Sequence, residues 1–369
     1  MGTDAEEFRD MTTMKTITSA AGAVLAGTVA AQAGGIERQV FSPGFLFESG
    51  NYFEMTFGSV SPSVSGVFSA VPLQSGDMAE TYTTLSGALK LQLNEDLALG
   101  IVIDQPVGVD VSYPAGTFYP FAGSTATVDA VQLSVLGHYR LSPNVSVYGG
   151  LRAQRAEGRA TVTPLPPAPY VMSTASDTAY GYVVGVAYER PDIALRVALS
   201  YVSEMTHDFA ATDNLGPTPA DFSTTIPQSV NLDFQTGIAA NTLLFGSIRW
   251  RDWSEFTIMP RGVVPLSTDN RDTISYSLGL GRKFSDTLSG SVSVGYEPPV
   301  GGTAGNLGPT DGYKSVTLAG VYTAPSGMKV TVGASYGWIG DATTAIGGAQ
   351  GIFTDNHYVG VGMKVGWKF

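Results

Sequence analysis

The chain has 369 residues, no cysteine, a formal net charge of −12 and only 14% charged residues, where soluble proteins carry roughly a quarter. The acidic balance excludes nucleic acid as a partner, because phosphate binding needs a basic patch, and the lack of cysteine excludes disulfides and thiolate metal sites. Beyond the N-terminus no run of about 18 apolar residues occurs, which excludes helical membrane spans, while the 45 glycines suit turns and crowded strands better than helices.

The N-terminus reads as an export signal. Met14-Lys15 is a short positive n-region, residues 17–31 are apolar, and Ala31-Gln32-Ala33 offers small residues for cleavage after Ala33. Residues 1–13 carry Asp4, Glu6, Glu7 and Asp10, so the true start is expected at Met14 or Met11, or else residues 1–13 are a misassigned leader. Three units follow: a leader at 1–33, a plug-like segment at 34–51, and a body at 52–369. In the second, Phe41, Phe45, Leu46 and Phe47 interleave with Ser42, Pro43 and Gly44. So apolar a segment is expected to fold back into the body rather than hang in water.

From Tyr52 onward apolar and polar residues alternate with the period of two that marks strands. The predicted strands are 52–67, 82–93, 97–112, 125–141, 145–163, 178–189, 193–209, 227–239, 242–258, 271–284, 287–297, 312–323, 328–340 and 356–369. Short turns such as Asn94-Glu95-Asp96 and Ser142-Pro143-Asn144 alternate with long connections rich in Gly, Pro, Thr and Asp. An even count of about fourteen strands with alternating short and long connections predicts an all-β, transmembrane, antiparallel up-and-down barrel. Its outer face would carry apolar residues, with Tyr180, Tyr188, Tyr201, Tyr296, Tyr322, Tyr336, Trp338 and Trp367 near the interfaces. In the last strand Val359, Val361, Met363, Val365, Trp367 and Phe369 share one face, opposite Gly and Lys. The terminal Phe369 resembles the C-terminal signal of outer-membrane barrels, which makes outer-membrane lipid and the barrel assembly machinery expected partners.

Residues 226–256 read IPQSVNLDFQTGIAANTLLFGSIRWRDWSEF. Pro227-Gln228-Ser229-Val230, then Trp250, Asp252-Trp253-Ser254 and Phe256, resemble the most recognisable stretch of the FadL family. The resemblance extends to 276–281, to 100–108 with Pro106, and to the strand count. It implies an outer-membrane transporter for long-chain fatty acids or other hydrophobic compounds, with an N-terminal hatch in the lumen and a lateral exit at a kinked third strand. Residues 34–51 would be that hatch, shorter than usual and without the family's Asn-Pro-Ala motif.

Pro106 cannot donate a ladder hydrogen bond and Gly108 follows two residues later, so a lateral gate is expected there, unless the pair merely ends the strand. The connections after the fifth and seventh strands are unusually apolar, through Leu165, Pro166, Pro167, Pro169, Tyr170, Val171 and Met172, and through Phe209, Leu215 and Phe222. They form a candidate outer capture site, or else pack on one another as a lid. Phe41, Phe45, Phe47 and Phe245 are candidate ligand contacts inside. Arg249 and Arg251 would meet a carboxylate, unless they, like Arg152 and Arg196, pair with lumenal acids such as Asp233 and Glu204. His138, His207 and His357 form no catalytic pattern and no Gly-x-Ser-x-Gly elbow occurs, so no enzyme, cofactor or metal is expected. The expected function is passive uptake of hydrophobic small molecules by a monomeric barrel. The alternative is a general diffusion porin for polar solutes, and a third class is a structural or adhesive surface barrel.

Overall fold

The computed structural model describes residues 36–163, 168–262, 265–267 and 271–369. The predicted leader and the candidate contacts Leu165, Pro166 and Pro167 lie outside the described residues.

Fourteen antiparallel strands close into a barrel. They are β1 (Tyr52–Ser63), β2 (Tyr82–Gln92), β3 in two pieces (Leu97–Asp104 and Gly108–Ser112), β4 (Thr125–Ser142), β5 (Val145–Val162), β6 (Asp177–Arg190) and β7 (Leu195–Val202). Then come β8 (Ser229–Ala239), β9 (Thr242–Arg251), β10 (Thr273–Lys283), β11 (Leu288–Glu297), β12 (Tyr313–Thr323), β13 (Lys329–Ile339) and β14 (His357–Lys368). Closure is made by β1 and β14, which pair from Tyr52↔Lys368 to Ser63↔His357. Closure pairs the first and last strands of the wall, so neither is left as an open edge.

Period-two alternation decides which side chains meet lipid. Leu278, Leu280, Val292, Val294, Leu318, Val359, Val361 and Met363 are exposed on the outer face. Seven of the eight predicted interfacial aromatics are exposed with them: Tyr180, Tyr188, Tyr296, Tyr322, Tyr336, Trp338 and Trp367. The opposite phase points inward and is small or polar, as with Thr84, Lys90, Ser200, Gln235, Arg249 and Lys364, all buried. This is the pattern of a wall with hydrocarbon outside and a polar lumen inside.

Four predicted strands are interrupted: the one expected at 52–67 leaves the wall after Ser63 for the outer mouth, and three others send chain into the lumen. The strand expected at 193–209 leaves the wall after Val202, and Met205–Phe209 pairs instead with Phe222–Ile226 as a separate hairpin. The strand expected at 242–258 stops at Arg251, and the chain turns inward through Trp253 and Phe256. The third strand breaks between Asp104 and Gly108. A five-stranded lid of Gly66–Phe68, Leu73–Gln74, Thr303–Ala304, Ala342–Ile346 and Ala349–Phe353 covers part of the outer mouth.

Candidate functional site

Residues 36–51 lie inside the barrel. The lower part forms a single 3-10 turn at Gly44–Phe47, and Phe45 and Leu46 are buried against Ala88, Leu136, Tyr148, Val183 and Val202. Gly100 makes room, since a Cβ there would stand 2.7 Å from Leu46 Cδ2. The Phe47 ring meets His138 and Tyr148 edge-on, and the Arg196 guanidinium lies 4.6 Å from its centroid. At the periplasmic end Glu48 forms ion pairs with Lys368 at 3.1 Å and Lys329 at 3.8 Å. Each buried Phe or Leu contributes about 1.5–3 kcal/mol, so several together hold the segment firmly in the lumen.

Above this plug is an apolar cavity of about 100 Å³. Its walls come from Ile36, Val107 and Val109 on one side, and Phe209, Phe222, Ile226, Phe256 and Leu307 on the other. The inward hairpin and the inward turn after β9 therefore supply the aromatic surface. His207, fully buried, stacks on Phe209 at 5.3 Å and also faces the cavity. Its Nδ1 is 2.9 Å from Asp177 and its Nε2 is 3.1 Å from Gln154 Oε1. Below, Arg152 donates to Gln132 Oε1 at 2.7 Å, and Gln132 donates to Asp104 at 3.1 Å. This chain of partners lets polar groups sit beside an apolar cavity, because most of their buried hydrogen-bonding atoms are paired, Arg152 Nε being left without an acceptor.

The break in β3 opens a window in the wall. Below it β2 and β3 are paired up to Gly87↔Ile103. Above it they meet again, through the Ala79↔Val111 bridge and Ser112 N–H donating to Met78 O at 2.9 Å. Both pairings belong to one register, whose continuation would set Tyr82 opposite Gly108 and Thr83 opposite Val107. Residues 105–108 have instead bowed into the lumen, where residues 36–39 receive them. Gly108 N–H donates to Ile36 O at 2.7 Å, Arg38 N–H to Pro106 O at 2.9 Å, and Gln105 N–H to Gln39 Oε1 at 2.7 Å. Pro106, with no N–H, loses nothing by leaving the ladder. Across the window Leu85 N–H donates to Gln105 Oε1 at 3.0 Å, and at its upper margin Glu80 N–H donates to Asp110 O at 3.2 Å.

Arg38 stands in this window. Its guanidinium pairs with Asp110 and lies 4.7 Å from the Tyr82 ring centroid. It occupies the place a Cβ on Gly108 would need, so the glycine lets the guanidinium lie against the strand. A second cavity of about 90 Å³, lined by Arg38, Val60, Tyr82, Gly108 and Asp110, lies on the window side of the bowed strand. The two cavities share Val109, Leu307 and Gly308 as walls. Next to Arg38, Glu37 pairs with both Arg249 and Arg251, its Oε2 at 2.7 Å from Arg249 Nη1. These arginines therefore pair with the N-terminal segment, and not with Asp233 or Glu204. Arg152 donates to Gln132, and Arg196 to Gln235 at 3.1 Å.

The 226–256 stretch has a structural job beside the cavity. Tyr201 donates to Gln228 Oε1 at 2.7 Å, Gln228 Nε2 donates to Asp252 at 2.9 Å, and Asp252 N–H returns to Gln228 O at 3.2 Å. Asp252 also accepts Ser254 N–H at 3.1 Å. These bonds staple the start of β8 to the end of β9 and turn the chain inward. Trp253 is then buried under Arg251 at 4.8 Å and against Phe256 at 5.3 Å.

Of the residues singled out from the sequence, Met172 and Phe209 line the upper cavity, and Tyr170 is buried in the cluster around it. Phe41, Phe45 and Phe47 belong to the lower plug. Phe245 packs low in the lumen against Ala194 and Leu243, away from the cavity. Leu215 is 59% exposed in an outer loop and joins neither group. Pro106 lies in the break of β3, and Gly108 begins the piece in which the strand resumes, Gly108–Ser112. The reading from sequence missed Ile36, His207 and Leu307 as cavity walls. Phe256 carried a signal, being part of the recognisable stretch; Leu307 carried none.

The sequence matches the family described as outer membrane protein transport protein (OMPP1/FadL/TodX) over residues 21–343. Curated protein sequences give no match. Among solved structures, a Pseudomonas aeruginosa FadL homologue superposes with a TM-score of 0.74 at 15% identity, covering 95% of this chain and all of its own. The toluene transporters TodX of P. putida and TbuX of Ralstonia pickettii give TM-scores of 0.66 and 0.63, each at 12% identity, covering 88% of this chain and 91% and 90% of theirs. At these identities the superpositions speak to the fold, and the family match carries the assignment. The chain belongs to the OMPP1/FadL/TodX family of outer membrane transport proteins, with a fourteen-stranded outer-membrane barrel as its fold.

Proposed function

We propose that the barrel takes hydrophobic small molecules, long-chain fatty acids among them, into the upper cavity and releases them sideways into the bilayer through the window between β2 and β3. The observation that carries this reading is the placement of an apolar cavity directly behind a gap in the strand ladder. An apolar solute needs no polar relay; it needs a path that never returns it to water. The two cavities, separated only by the bowed strand and residues 36–38, supply such a path once those residues move.

The size of the upper cavity bears on the ligand. Its volume of about 100 Å³ is somewhat below the roughly 150 Å³ apolar cavity that accepts benzene. It suits a small ring or a few methylenes at a time, so a longer molecule threads rather than nests. A neutral ligand, such as the toluene for which TodX and TbuX are named, requires nothing of the lumenal arginines. A fatty acid differs, because its carboxylate would replace Glu37 on Arg249 and Arg251. Ligand binding and release of the N-terminal segment would then be one exchange.

In this reading residues 1–33 are removed on export, residues 34–51 act as the hatch, and the monomer is folded by the assembly machinery that reads Phe369. The test is retention of apolar ligand by the purified protein, by native mass spectrometry and displacement of a fluorescent fatty acid. A protein that retains neither fatty acid nor hydrocarbon contradicts the proposal. Added oleate, but not an alkane of equal length, is expected to make residues 36–51 sensitive to protease; equal sensitivity with both contradicts the exchange at Glu37.

A further inference from the structure

Far around the barrel from the window, the lipid-facing wall of β9–β12 has a depression near the periplasmic rim. Thr242, Arg282, Gly290 and Gly320 lie side by side in one row of paired residues, on the same outward phase as Leu280, Val292 and Leu318. Two adjacent strands thus present glycine where their neighbours present side chains. A Cβ at Gly320 would meet no atom within 4 Å, so the space above it is open. At Gly290 a Cβ would come 2.9 Å from Phe284, whose ring closes one side. Leu280, Val292 and Leu318 continue the trough toward the membrane centre, and its volume is about 660 Å³.

Arg282 stands at the rim end of this trough. Its Nη1 donates to Ala240 O at 3.0 Å and to Thr242 Oγ1, which fixes the guanidinium over the groove. Two other cations beside periplasmic turns are neutralised locally, Arg190 by Asp192 at 2.6 Å and Lys283 by Asp286 at 2.8 Å. Among the described residues no carboxylate pairs with Arg282. A fixed guanidinium at headgroup depth, above an apolar trough that Gly290 and Gly320 leave shallowly floored, matches a ligand with a phosphate and a hydrocarbon chain.

We propose that this groove is a binding site for an anionic phospholipid of the periplasmic leaflet. Its phosphate sits on Arg282, and one acyl chain lies along Gly290 and Gly320 between Phe284 and Leu318. The site is separate from the transport path and owes nothing to the lumen.

The test uses the full barrel in mild detergent, with dioleoyl phosphatidylglycerol or dioleoyl phosphatidylcholine added, read by native mass spectrometry. The unaltered protein is expected to retain one phosphatidylglycerol in preference to phosphatidylcholine. Arg282→Gln should weaken phosphatidylglycerol retention about tenfold, the worth of one charge-assisted contact, and erase the headgroup preference. Gly320→Leu fills the trough from open space and should lose both lipids, while Arg190→Gln, also at the rim, should lose neither. Heat-modifiable migration on gels establishes that each variant is a folded barrel. Equal retention of both lipids by the unaltered protein, or retention unchanged in Arg282→Gln and Gly320→Leu, overturns the proposal.

Discussion

Glu37 and Arg38, adjacent in the chain, do opposite things with their charges. Glu37 reaches across the lumen to two arginines of β9, and Arg38 fills the gap beside β2. Removing Glu37 takes away the one carboxylate that both buried guanidiniums bond directly. Glu37→Ala is therefore expected to lower the unfolding free energy in urea by about 3 kcal/mol, the usual cost of breaking a buried pair; an unchanged midpoint contradicts the pairing. Arg38→Ala removes a charge-assisted contact and the bulk that blocks the window. It should raise uptake of a hydrophobic probe about tenfold while the barrel's heat-modifiable mobility stays the same; uptake at the original rate means that Arg38 blocks nothing. Neither residue was visible as functional in the sequence. Arg249 and Arg251 were, because inward arginines on a strand of a lipid-facing barrel demand a partner. Their partner lies 212 and 214 residues earlier, a distance over which no local pattern carries information.

Among elements, the interrupted strands matter most. Pro106 and Gly108 announced the break in β3 because proline cannot join a ladder and glycine admits close approach. That the strand resumes in the same register with β2 depends on residues 36–39, which the sequence placed only as an apolar segment bound for the lumen. Likewise the alternation through 193–209 is unbroken, yet Met205–Phe209 leaves the wall, since period two marks a strand without naming its neighbour. The outer loops are tied together by Arg261, which holds the Asp213 carboxyl down to about 2, helped by the Leu215 amide and the Tyr170 hydroxyl. A depressed carboxyl adds stability above its unfolded value of about 3.9 and loses it as pH falls through the folded value. Loops carrying Tyr170 and Leu215 should thus stay protease-resistant at pH 5 and loosen only between about pH 4 and pH 2. Asp213→Asn should abolish that acid step; a step that persists in the variant has another cause.

At the scale of the molecule, alternation and turn chemistry made the barrel legible: fourteen strands, short turns on one side, long connections on the other, aromatics at the interfaces. The lumen was not legible, because its filling is built from chain that leaves the wall. That filling separates a plugged transporter from an open pore. With Phe45, Leu46 and the Glu48 contacts below and aromatic surface above, planar-bilayer recordings are expected to be nearly silent, whereas a large steady conductance would favour the diffusion porin. The window itself is tested most directly by closing it. The chain has no cysteine, so Thr83→Cys with Val107→Cys introduces the only possible disulfide, at positions that face each other if β2 and β3 zip together. In proteoliposomes, oxidation of this variant should slow transfer of a hydrophobic probe into the bilayer and a reductant should restore it. Identical transfer rates in the oxidised and reduced states would contradict lateral release between β2 and β3.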